Sequence, residues 1–95
     1  MTPLQTLVVY DISDDEIRLR ASEVCKRFGL ARIQRSTFLG YLTSMQRKEL
    51  AAALRKMLGN ADGNIQIFVI CRADLALREV IGKPFEEYAK EELLA

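Results

Sequence analysis

Histidine and tryptophan are absent from the 95 residues, and proline and cysteine occur only twice each. Without histidine there is no imidazole base, no Ser-His-Asp triad and no His-ligated zinc. Cys25 and Cys71 stand far apart and lack the paired spacing of a structural zinc site. They read as reduced, mostly buried thiols of a cytoplasmic protein. No apolar run approaches the ~18 residues of a membrane span, and no signal peptide opens the chain, so no membrane partner is expected. No glycine-rich loop precedes a Lys-Ser or Lys-Thr pair, so the phosphate cradle of a P-loop is missing. Any catalysis must therefore come from carboxylates, a metal ion, or Arg, Tyr, Ser and Gln side chains.

What is present is an ordinary globular balance, 49% apolar and 28% charged. The length suggests one domain over residues 1–95, with a core at about 4–71 and a tail at about 72–95. A chain this short hides only roughly 60–65% of its unfolded surface, and a second copy would hide more. The net charge of +1 conceals an asymmetry. Residues 1–16 hold four acids and no base, whereas residues 17–58 hold ten Lys and Arg against two Glu. An acidic strand end beside a basic middle suits a polyanion held next to a metal, or two solvated amphipathic helices.

The pivotal stretch is 7–18. Leu7 to Tyr10 have the side chains of a buried strand, which runs from about Leu4 to Asp11. Ser13 with Glu16 spells a capping box, and Asp14 and Asp15 suit the first turn of the helix that follows. That helix spans about Asp14 to Phe28, with Ile17, Ala21, Val24, Cys25 and Phe28 on one stripe and Gly29 as its stop. Arg32 to Leu42 lacks a helical period and reads as strand. Gly40 marks a bend or a close backbone approach, giving strands at about 31–36 and 38–42 or one bent strand. Thr43 with Gln46 is a second capping box, opening a helix from about Ser44 to Leu58 that Gly59 ends. Ile65 to Cys71 is almost continuously apolar, so both faces of that strand should be covered. Arg78 to Ile81 suggests a short last strand, and Pro84 with the residues after it a terminal helix.

The order β-α-β-β-α-β predicts an α+β, ferredoxin-like fold: an antiparallel sheet with two helices on one face, plus a short C-terminal strand and helix. The other sheet face is left bare, and a second copy packed sheet against sheet would cover it. Asp11 lies before the helix cap, so helix-start chemistry does not explain it. It is a turn residue or a metal ligand, and two copies across a two-fold axis would suit Mg²⁺ or Mn²⁺. Arg18, Arg20, Arg32 and Arg35 are able to grip phosphates or to remain solvated. Phe38 is able to stack on a base or to fill the core, and Tyr10 to pack or to serve the site.

Tyr10-Asp11-Ile12-Ser13-Asp14-Asp15, Arg18, Gly29 and the run from Arg32 to Gly40 together resemble the small CRISPR-associated endonuclease family that accompanies the spacer integrase in prokaryotic adaptation. The resemblance covers about residues 4–42, and Arg78 to Gly82 is similar to the family's last strand, which pairs with the partner subunit, so the resemblance implies a dimer-contacting tail at about 72–95. It implies a ferredoxin-like homodimer with sheets face to face. It implies metal-dependent cutting of single-stranded RNA or duplex DNA, and a place in the integrase complex in antiviral defence. The family's metal-binding aspartate falls on Asp11, its tyrosine on Tyr10, its arginines on Arg18, Arg20 and Arg32, and its aromatic on Phe38. Two other readings remain open here: a non-catalytic DNA-binding scaffold, and a toxin-type ribonuclease of the same fold.

Overall fold

A computed structural model describes residues 2–85. Its elements are β1 (Leu4–Asp11), α1 (Asp15–Arg27), β2 (Ala31–Gln34), β3 (Thr37–Leu42), α2 (Ser44–Leu58), β4 (Asn64–Ile70) and a short α3 (Arg72–Ala76). The four strands form one antiparallel sheet in the order β2-β3-β1-β4. The expected ferredoxin-like arrangement is therefore present.

Alternation along β1 decides what each sheet face does. Thr6, Val8 and Tyr10 are buried, as is Ile12 just beyond the strand. They face the helices and join Ala21, Val24 and Cys25 of α1 and Leu50 and Leu54 of α2 in one core. Two polar groups enter it satisfied: the Thr6 hydroxyl donates to the Leu4 carbonyl, and Ser22 donates to Leu19. Side chains at 5, 7, 9 and 11 take the other face. In register with them stand Tyr41, Leu39 and Thr37 of β3 and Ile70, Phe68, Gln66 and Asn64 of β4. Neither α1 nor α2 covers this side, and Tyr41 and Phe68 are exposed on it. The lost alternation of β4 thus has a simple source: Ile65 and Ile67 pack under the helices, while Phe68 and Ile70 belong to the bare face.

Several local features differ from the sequence reading. The cap of α1 is Asp14, whose carboxylate accepts from the Ile17 N–H at 3.0 Å. Ser13 lies one residue too early, and position N3 is Ile17, which has no polar group to answer with. The chain reverses at Arg35 and Ser36, and the Tyr10 N–H pins that turn by donating to the Ser36 carbonyl. Gly40 instead lies inside β3, where the close-approach reading holds. A Cβ there would sit 2.8 Å from Leu30 Cδ2 and 3.3 Å from the Gly29 carbonyl oxygen. The second capping box, Thr43 with Gln46, is complete. Arg78 to Ile81 forms no strand in this chain. A strand exists only by pairing with a free edge, and this segment pairs with neither β2 nor β4. The expected terminal helix lies almost entirely outside the described residues.

Candidate active site

The end of β1 separates two chemistries. Asp11 closes the strand as an exposed residue on the bare face, opposite Asn64 of β4. The loop before β4 passes close by, and a Cβ on Gly63 would lie 3.3 Å from the Asp11 carbonyl oxygen. Tyr10, one residue earlier, points to the other face and is buried. Its ring stacks on Phe38 with centroids 6.3 Å apart. The pairing of Tyr10 with Asp11 in one site is thus broken by the pleat of the strand.

Tyr10 instead lines a groove of about 220 Å³ between α1 and the β2–β3 turn. Its other walls are Asp15, Arg18, Leu19, Ser22, Arg32 and Arg35. Three guanidinium groups and one carboxylate line it, an excess of positive charge that suits an anion. Arg18 is locked in place. Its Nη1 donates to the Ile12 carbonyl at 3.1 Å and more weakly to that of Ser13, and its Nη2 pairs with Asp15. Arg32 is held as firmly. Nη1 donates to the Arg35 carbonyl at 2.7 Å, and the guanidinium lies 4.9 Å from the Phe38 ring centroid.

Three expected roles change. Phe38 is fully buried, so it offers no face to a nucleobase; it is the floor under Tyr10 and Arg32. Arg20 does not line the groove and pairs with Glu16 at 2.9 Å on the exposed side of α1. Tyr10 lies away from the Asp11 carboxylate, as above. Conversely, Asp15 and Ser22 belong to the groove, and sequence reasoning did not put them there. Their spacing with Arg18 (15, 18, 22) is the one signal that places them on one helix face. Burial pushes the neighbouring Cys25 thiol up to about 12, a rise that the positive charge of Arg32 partly offsets.

Carboxylate oxygen suits a hard divalent cation, and Asp11 is exposed enough to reach one. Among the described residues there is no group of three or more acidic, His or Cys side chains.

Residues 5–76 match the profile of the family described as CRISPR associated protein Cas2. The chain belongs to the Cas2 family. It is 46% identical over 81 residues to the CRISPR-associated endoribonuclease Cas2 of Korarchaeum cryptofilum, covering 84% of this chain and 86% of that one. A crystal structure of Cas2 superposes with a TM-score of 0.73 at 25% identity, covering 87% of this chain and 91% of the other. A longer relative in Thermoproteus tenax is a CRISPR-associated endonuclease Cas1/endonuclease Cas2 fusion. The match to it is 37% identical over 67 residues, covering 70% of this chain and 25% of the fusion. The match contains Asp11 and every groove residue. No helix among the described residues is long and apolar enough to cross a membrane.

Proposed function

We propose that this Cas2-family chain acts as a homodimeric, metal-dependent endonuclease. One observation supports this above the others: the arginine groove and the exposed carboxylate flank the end of β1 on its two faces, and Arg18 is tied to the carbonyl of Ile12, the residue that follows Asp11. Sheet-to-sheet pairing through the bare face would bury Phe68 and Tyr41 and bring two Asp11 side chains to one cleft. A Mg²⁺ or Mn²⁺ ion held there would supply a water of lowered pKa and offset charge on a phosphodiester. Arg18 and Arg32, already oriented by their backbone bonds, would hold phosphate oxygens without reorganising. Arg35 adds charge at the groove mouth. Contacts of this kind position a backbone and carry no base code, which fits RNA or duplex DNA alike.

The test compares wild type with Asp11→Asn on RNA and on duplex DNA, with and without Mg²⁺. Asp11→Asn should sediment as wild type does and lose Mg²⁺-dependent cutting. Equal cutting by the two proteins would end the nuclease reading.

A second reading has its own observation. The groove contains no part of Asp11, so binding is separable from cutting. In this reading the dimer is a DNA-binding scaffold beside the integrase protein, and the Cas1/Cas2 fusion of Thermoproteus tenax supports a partner of that kind. Asp11→Asn would then retain salt-sensitive duplex binding. The family match leaves the toxin-type alternative without an observation of its own.

A further inference from the structure

The C-terminal segment 78–85 leaves the β4 side of the sheet and reaches β2, the strand at the opposite edge. There it walls a second cleft of about 220 Å³ with Ile33 and Gln34 of β2. Arg78, Lys83 and Phe85 line this cleft, together with one carboxylate, Glu79. The Phe85 ring is half-buried, and its centroid is 6.0 Å from the Arg32 guanidinium. Arg32 therefore lies close to two rings, the buried Phe38 and the more accessible Phe85. It also belongs to the wall of the arginine groove. The two hollows are therefore linked through the contact of Arg32, in the wall of one, with Phe85, in the wall of the other, and each has further basic side chains in its lining.

A basic track interrupted by an accessible aromatic is the arrangement that takes single-stranded nucleic acid. The cations follow the backbone, and the ring stacks on a base of any sequence. We propose that Phe85 is a nucleobase-stacking residue. In this assignment an unpaired base stacks at Phe85 beside Arg32, while Arg35 and Arg18 hold the phosphates on one side and Lys83 and Arg78 those on the other. The ligand class is a single strand, since a base inside a duplex presents no free face. The assignment rests on the groove being a nucleic-acid site, as argued above, and adds the element that engages bases. It also supplies an aromatic for the stacking role that burial denies to Phe38.

The experiment measures binding of short single-stranded RNA and of an abasic strand of equal length and charge, in Mg²⁺-free buffer so that nothing is cut. Wild type should prefer the base-bearing strand by about tenfold. Phe85→Ala should bind the two strands equally, with its abasic affinity unchanged, and Phe85→Trp should keep the preference. Equal binding of both strands by wild type would overturn the stacking assignment while leaving the groove intact. No binding of either strand by wild type would remove the groove reading itself, and the assignment with it. Tighter binding of both strands by Phe85→Ala would show that the ring covers Arg32, which also overturns the proposal. Sedimentation of Phe85→Ala should match wild type; a shift to monomer that accompanied the lost preference would assign the ring to a subunit contact instead.

Discussion

Phe38 is buried from solvent, yet its ring supports the Arg32 guanidinium on the groove side. Truncation to alanine should cost about 3–5 kcal/mol by opening a cavity in the core. Phe38→Leu separates support from packing, because it keeps most of the volume and removes the ring. We expect it to remain folded by circular dichroism and to bind nucleic acid more weakly, through a less ordered Arg32. Cys25 makes a second prediction at this scale. In the folded chain its thiol holds its proton up to about pH 12. Folded and unfolded thiols are both neutral below about pH 8.5, so stability there is unaffected. As the pH rises above that value the unfolded thiol ionises first, and stability falls. The urea midpoint of wild type should therefore drop more between pH 8 and 10.5 than that of Cys25→Ala. At pH 7.5 an alkylating reagent should label exposed Cys71 and spare buried Cys25, as read by peptide mass.

At the scale of the element, the two helix starts make a clean contrast. Thr43 and Gln46 close a reciprocal box, and Thr43→Ala should cost about 1 kcal/mol in chemical denaturation. At α1 the same test should show a loss of about 1 kcal/mol for Asp14→Ala and almost none for Ser13→Ala. A larger loss at Ser13 would contradict the observed cap. Within β3, Gly40→Ala would thrust a methyl group against Leu30 and the Gly29 backbone. We expect a loss of about 1–3 kcal/mol from that overpacking. The helix stripes, the glycine stops and the second box were readable from sequence because each depends on neighbours within four residues. The start of α1 was not, because Ser13 and Asp14 are both good caps and only the path of the chain out of β1 chose between them.

For the whole molecule, the open question is what covers the bare sheet face. The exposed Tyr41 and Phe68 on it are the argument for a partner surface. Phe68→Asp places a charge on that face, on the edge strand β4 and away from the helix-side core. It should leave far-ultraviolet dichroism unchanged and shift the sedimenting species to half its mass. A wild type that sediments as a monomer at micromolar concentration would contradict the dimer. Shared Asp11 ligation adds a linked prediction: Mg²⁺ should raise the melting temperature of wild type and not that of Asp11→Asn, because only the former binds the ion in its folded state.

The sequence by itself determined the order of elements, the antiparallel α+β arrangement and the inward stripes of both long helices, and it singled out Asp11, Arg18 and Arg32 as candidates. These follow from periodicity, from local hydrogen bonding, or from a resemblance carried by a short contiguous stretch. Only the tertiary structure decided that Phe38 lies beneath the groove, that Arg20 stands outside it, and that Phe85 reaches Arg32. Each of those depends on which face of a sheet the helices occupy, or on bringing together residues fifty positions apart in the chain. Packing sets such distances, and no window of neighbouring residues contains them.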